Sequence, residues 1–277
     1  MKIKKTLYQS IKKDLIKGVR RFYWYSYTNI KYFFFTFIKY LKKKDNKMFS
    51  ISLLLPTRER TEKFIRLLNS INETCVLKER LDLLLLIDED DKEITLYKEI
   101  SESTKYKDLN IKIYINSLKT HAQRNNFLAN KTNNEIIFPI NDDIVFKTNA
   151  WDTVIDEEFS KFGDKPYCLW TNSGQKYNYL HCDFPIINRK WFDKLGYVGS
   201  EHFRFWFLDT WICDLSFRSK QFLITDKIEI YQYSAHTIKE EIDDTHLKNL
   251  KDNIPQDDLN TWNNTLKYRI SDAKKLK

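Results

Sequence analysis

The sequence predicts an α/β fold: a mainly parallel sheet flanked by helices on both faces. Three observations carry that expectation. Short apolar runs alternate four times with segments of helical periodicity between Phe49 and Ile140. Each run ends at a polar or acidic cluster, as strands of a parallel sheet do where the chain leaves the core. Glycine and proline number only 5 each in 277 residues, too few for a turn-rich all-β fold, and the 42% hydrophobic content argues against disorder.

Phe49 to Leu55 is apolar and halted by Pro56, the pattern of a buried strand. Thr57 to Asn69 sets Phe64, Ile65, Leu67 and Leu68 at helical spacing. Leu81 to Ile87 is a second buried strand, closed by Asp88-Glu89-Asp90-Asp91, and a helix follows from Glu93 to Ser103. Ile111 to Ile115 alternates as a third strand. Thr120 to Lys131 is helical with Ala122, Phe127 and Leu128 inward. Glu135 to Ile140 is the fourth strand, with Asn141-Asp142-Asp143 at its end.

Beyond Asp143 the pattern loosens. Asn149 to Phe162 is expected to be helical, Tyr167 to Thr171 and His181 to Asn188 to be strands, and Arg189 to Leu195 a short helix ended by Gly196. Phe205 to Ser219 is an aromatic-rich helix carrying Asp209 and Asp214, and Phe222 to Tyr233 is extended. Two polar amphipathic helices, near Asp244–Lys251 and Pro255–Ile270, close the chain. The expected division is a basic aromatic segment at 1–47, an α/β domain at 48–240 and a helical extension at 241–277.

The formal net charge of +9 is unevenly distributed. Residues 1–47 hold 14 Lys and Arg against Asp14 and Asp45, whereas the remainder has 33 basic and 36 acidic side chains. Any anionic macromolecule is therefore a partner of the first segment and not of the body. That segment also holds 12 of the 42 aromatic residues. Lys31 and Lys39 make a membrane span costly. Helical spacing of Ile30, Phe33, Phe34, Phe37, Ile38 and Leu41, flanked by lysines, instead suits amphipathic helices on an anionic membrane surface. Packing on the body or on a second copy is the alternative. No nucleic-acid-binding module is present in the sequence, and no such partner is expected. The four cysteines are widely spaced and the start lacks a cleavable leader pattern, so a cytoplasmic, peripherally membrane-associated protein is the expectation.

In parallel sheets ligands bind outside the carboxyl ends of the strands. The polar groups expected there are Thr57-Arg58-Glu59-Arg60, Asp88 to Asp91 and Asn141-Asp142-Asp143. Neither a Gly-x-Gly-x-x-Gly loop nor a Gly-Lys-Ser/Thr phosphate loop is present, which disfavours dinucleotide-binding and phosphate-loop enzymes. Adjacent carboxylates after a buried strand are costly unless a cation is shared between them, and oxygen ligands favour Mg²⁺ or Mn²⁺. Ordinary turn chemistry also explains Asn-Asp-Asp.

Taken in order from Phe49 to Lys239, these elements resemble nucleotide-sugar glycosyltransferases of the Rossmann-like GT-A fold, in particular family 2-like bacterial enzymes. Pro56-Thr57-Arg58 is similar to the Pro-Thr-Arg start that meets the nucleotide. Asp88 matches the acid that faces the base, Gln123-Arg124-Asn125 the Arg-Asn pair, Asn141-Asp142-Asp143 the DxD element, and Asp209-Thr210-Trp211 the helix-borne acid of the acceptor half. The resemblance implies that Asp142 contacts ribose or sugar, that Asp143 holds the metal, and that Asp209 is the general base of an inverting transfer to a glycan or lipid-linked acceptor. Arg58, Arg60 and Arg124 would meet the leaving diphosphate. His236, after the last strand, is similar in position to a further metal ligand. Two departures stand out: the first DxD position is the neutral Asn141, and the usual Glu-Asp pair reads Leu208-Asp209. They keep open a degenerate, non-catalytic binding subunit. A sugar-phosphate nucleotidyltransferase is a further alternative, disfavoured by the missing glycine-rich loop. His121, His181, His202 and His246 receive no role. Trp170, Trp191, Trp206 and Trp211 are candidates for an acceptor wall, with core packing expected for at least two.

Overall fold

The computed structural model describes residues 47–173, 181–233 and 251–277. In chain order the elements are β1 (Ile51–Thr57), α1 (Thr61–Thr74), β2 (Leu81–Ile87), α2 (Ile94–Ser101), β3 (Asn110–Ile115), α3 (His121–Ala129), β4 (Ile136–Pro139), β5 (Ile144–Phe146), α4 (Trp151–Phe159), β6 (Cys168–Asn172), β7 (Pro185–Asn188), α5 (Arg189–Leu195), α6 (Leu208–Ser219), β8 (Phe222–Gln232), α7 (Ile254–Asn264) and α8 (Leu266–Lys275).

One eight-stranded sheet runs in the order β3-β2-β1-β4-β7-β6-β8-β5. The first four strands are mutually parallel, as the alternating pattern predicts. Beyond β4 the sheet is mixed: β7 is antiparallel to both β4 and β6, β6 and β8 are parallel, and β5 is antiparallel to β8. Alternate residues of β1 and β2 enter opposite cores. Ile51, Leu53, Leu55, Leu81, Leu83 and Leu85 pack with Phe64, Leu68, Tyr97 and Trp151. Leu54, Leu84 and Leu86 face the other side with Leu128, Trp191, Trp211 and Leu276. Both faces are thus covered by helices, which is why these strands are continuously apolar. Each such leucine contributes about 1.5–3 kcal/mol through burial.

Boundaries moved where backbone chemistry overrides periodicity. α1 starts at Thr61 and not at Thr57, because Pro56 and Thr57 continue β1 and Glu59 turns the chain with a left-handed φ of 48°. β5 was not foreseen: three residues directly after Asp143 are too short to register as a period. The predicted 255–270 helix is two helices that meet at Thr265. α5 and its Gly196 stop, at φ 78°, stand as expected. Residues 1–46, the helix expected near 244–251 apart from Lys251, and His236 lie outside the described residues. Among the described residues no helix is long and apolar enough to cross a membrane. All four cysteines are buried and unpaired.

Candidate active site

The parallel half of the sheet delivers Thr57, Asp88 and Asn141-Asp142-Asp143 to one edge, at the carboxyl ends of β1, β2 and β4. Asp142 is buried there. Its two oxygens are both held: Oδ2 accepts from the Thr57 hydroxyl at 2.7 Å and Oδ1 from Arg60 Nη1 at 3.0 Å. The Tyr97 hydroxyl backs this group, accepting the Arg60 backbone N–H at 2.9 Å and lying 3.1 Å from Thr57 Oγ1. A buried carboxylate is tolerable only with such partners.

Asp88 is also buried, and two arginines converge on its Oδ2: Arg58 Nη1 at 3.0 Å and Arg124 Nη2 at 2.8 Å. Arg58 donates as well to both oxygens of Asp90, and that bond above all raises its guanidinium pKa. Arg124 is aimed by the start of α3, where Thr120 and Gln123 form a reciprocal capping box and Arg124 Nε donates to the Leu118 carbonyl at 3.0 Å. Pro56 is buried within β1 and Asn141 is half-buried.

Asp143 differs from its neighbour. Its hydrogen-bond donor is an uncharged amide, Gln232 Nε2, at 3.2 and 3.3 Å. Burial first, and then the adjacent charge of Asp142, push its carboxyl from the usual 3.8 up to about 6. Its backbone is fixed, because its carbonyl accepts the Tyr233 N–H at 2.7 Å beside the β5–β8 pairing. Arg60 and Lys63 offset this only in part, and a fixed, half-buried carboxylate next to a second carboxylate fits a divalent cation with oxygen ligands.

Asp209 lies in the first turn of α6, where the helix dipole favours a carboxylate. His181 Nε2 is 2.9 Å from its Oδ2, and the Thr210 N–H donates to its Oδ1 at 2.7 Å. Burial works against ionisation of Asp209, but the His181 bond and charge together with Thr210 outweigh it, so the carboxyl stays below its usual range. Burial likewise works against the imidazolium of His181, while Asp209 and then Asp183 outweigh it and raise that pKa above 6.5. His121 is the opposite case: burial, with Arg124 beside it, pushes it down to about 4.

His181 was given no role on sequence grounds, and the structure sets it against Asp209. The signal was there in His181-Cys182-Asp183, a histidine and an acid two residues apart, which extended chain places on one side. The ligand atoms of His181, Asp183 and Asp209 lie within 4.8 Å of one another, so this trio is a second place where a cation could be held. The two places differ electrostatically. Asp209 has an imidazole at hydrogen-bond distance, whereas among the described residues Asp143 bonds to the uncharged Gln232, and the more remote Arg60 and Lys63 offset its raised pKa only in part. Of the four tryptophans considered for an acceptor wall, Trp170, Trp191 and Trp211 are core residues, and Trp206 alone is half-exposed.

The chain has the GT-A-type fold of nucleotide-sugar glycosyltransferases. No protein-family model and no curated protein sequence matches it. Among solved structures it is similar to a mannosyltransferase, PcManGT from Pyrobaculum calidifontis, in complex with GDP-Man and Mn²⁺. That match has a TM-score of 0.56 and 11% identity over 91% of this chain and 81% of that one. It is similar to GalNAc-T7 with UDP, GalNAc and Mn²⁺, with a TM-score of 0.54 and 12% identity over 68% of this chain and 44% of the other. It is also similar to S. aureus TarS in complex with UDP, with a TM-score of 0.52 and 13% identity over 66% and 60%. At these identities the likeness is one of fold, and the chain spans less than two thirds of the last two proteins.

Proposed function

We propose that this protein is a metal-dependent, family 2-like glycosyltransferase that moves a sugar from a nucleotide-sugar donor to a glycan or lipid-linked acceptor. The observation that carries the reading is the pair Asp142–Asp143. One carboxylate is locked by Thr57 and Arg60, and its neighbour is held with its pKa raised and, among the described residues, by an uncharged hydrogen-bond donor, Gln232. Adjacent buried carboxylates are an expensive arrangement that a bound cation relieves.

In this reading Asp143 would hold Mn²⁺ or Mg²⁺, with His236 as the further ligand that the resemblance implies. When bound, the cation would supply Lewis-acid charge to the diphosphate leaving group. Asp142 faces ribose or sugar, and Thr57 and Arg60 fix its orientation. Asp88 meets the base through the oxygen that Arg58 and Arg124 leave open. Arg124, Arg58 and Arg60 add charge-assisted bonds to the phosphates. As the acceptor oxygen bonds to the anomeric carbon, the sugar–phosphate bond breaks and the hydroxyl proton goes to the Asp209–His181 pair. Asp209 alone, held below its usual range, is a weak base. A neutral His181 therefore takes the proton, and Asp209, bonded to it, stabilises the imidazolium that forms. One base without a covalent nucleophile gives inversion.

Residues 1–47 dock this body peripherally on an anionic cytoplasmic membrane surface in the same reading, which puts it beside a lipid-linked acceptor. The test is nucleotide release from a panel of UDP- and GDP-sugars with Mn²⁺. Asp143→Ala and Asp209→Asn should each abolish transfer, and only the first should lose Mn²⁺-dependent nucleotide binding. Full activity of Asp143→Ala, or equal activity in a chelator, would overturn the metal role.

A further inference from the structure

The helical extension contributes a buried carboxylate to the acceptor side. Asp258 on α7 is fully buried. Its Oδ1 accepts the backbone N–H of Arg204 at 2.7 Å, and its Oδ2 accepts those of Phe205 at 3.0 Å and Trp206 at 2.8 Å. Three consecutive amides thus converge on one charge, and charge-assisted bonds of this kind are roughly twice as strong as neutral ones. The Arg204 guanidinium continues the seam outward to Asp257 at 3.0 Å.

The segment so held leads directly to Asp209. Phe205 and Trp206 are half-exposed. Phe207 then takes a left-handed conformation, φ 71°, and α6 begins at Leu208. The left-handed Phe207 interrupts the helix that the sequence pattern starts at Phe205, so the first turn of α6 begins after it. Asp258 holds the three residues before that break and so fixes the direction in which the chain enters α6. α8 secures the rest of that helix. Arg269 Nε lies 2.9 Å from Asp214, with its guanidinium 3.6 Å over the Trp262 ring, and Asp272 accepts the Tyr197 hydroxyl that receives Trp211 Nε1. By contrast Thr57, Arg60 and Asp142 hang on β1, α1 and β4, and none of them bonds to α7.

We propose that Asp258 is a positioning residue for the acceptor half: it acts through the 204–206 amides to set where Asp209 and the faces of Phe205 and Trp206 stand, and it leaves donor binding untouched. The catalytic part of this rests on the glycosyltransferase reading; the positional part does not.

The test uses the full chain with Asp258→Asn, which replaces one accepting oxygen by a donor, and Asp257→Asn as the surface control. Amide hydrogen exchange is followed at 203–212 and, as reference, across α1. Mn²⁺-dependent UDP and GDP binding is measured alongside. Nucleotide release from GDP-mannose and UDP-N-acetylglucosamine is then titrated with methyl glycosides as acceptors. Expected for Asp258→Asn are exchange at least tenfold faster at 204–206 and through the first turn of α6, unchanged exchange in α1, nucleotide Kd within twofold, and acceptor-dependent kcat/KM reduced 10- to 100-fold. Asp258→Glu keeps the charge and moves it by one methylene. It should give a graded loss, and it serves as the test variant if Asp258→Asn does not fold. Unchanged exchange at 204–212, a parallel loss of nucleotide affinity, or wild-type acceptor kinetics with a loosened loop would each overturn the proposal. A wild-type protein that turns over no donor would sink the transferase reading, and the exchange result would still decide whether Asp258 holds the segment that enters α6.

Discussion

Asp143→Asn should make the protein more stable while destroying its metal site. In the folded chain the carboxyl is pushed from 3.8 to about 6 by burial and by Asp142. An acid whose folded pKa is raised opposes folding once it ionises. Below pH 4 both states carry the proton and there is no penalty. Between pH 4 and pH 6 the unfolded state ionises first, and the penalty grows. Above pH 6 it is constant. A shift of roughly two units at about 1.4 kcal/mol each sets a ceiling of about 3 kcal/mol, and solvent at this half-buried site reduces it to about 1–2. For a chain of this size that is roughly 2–8 °C in Tm. The asparagine keeps one carbonyl oxygen for Gln232, and its amide NH2, set beside the Asp142 carboxylate, replaces the other. The assay is thermal unfolding of wild type and variant at pH 4.5 and 7.5 in chelator, then at pH 7.5 with Mn²⁺ and nucleotide. The variant should be the more stable protein at pH 7.5, by a smaller margin at pH 4.5, and indifferent to Mn²⁺. An equal gain at both pH values, no gain at 7.5, or Mn²⁺ stabilisation of the variant would refute the reasoning.

Other outcomes follow from the same contacts. His181→Ala should lower kcat by about 10- to 100-fold and move the acidic limb of its pH profile, with nucleotide affinity unchanged; an unmoved limb would separate His181 from the base. Arg60→Met should cost about 2–4 kcal/mol in chemical denaturation, since it leaves the buried Asp142 charge with Thr57 as its remaining bonded partner. Deleting residues 1–44 should abolish sedimentation with anionic vesicles and spare nucleotide binding; retained sedimentation would assign the segment to packing.

The parallel half of the fold was legible because β1, β2 and β4 are buried on both faces and therefore read as apolar runs with polar ends. The mixed half was not. β5 is three residues long, and β7 begins at Pro185 and not at His181. The start of α6 could not be read because Phe207 is left-handed and the segment before it is held by Asp258, some fifty residues downstream, and no local period reports either. At the candidate site positions were legible and contacts were not. Arg58, Arg60 and Arg124 were expected to wait for phosphate, yet each is engaged by Asp88, Asp90 or Asp142. His181 was missed because its partner, Asp209, lies 28 residues away.

Thermal unfolding of the wild-type chain with UDP and GDP, each with and without Mn²⁺, tests the central claim most directly. A nucleotide at about 100 times its dissociation constant should add about 2.7 kcal/mol, and only when Mn²⁺ is present. No stabilisation by either nucleotide, or the same stabilisation in a chelator, would contradict a metal-dependent nucleotide-sugar site.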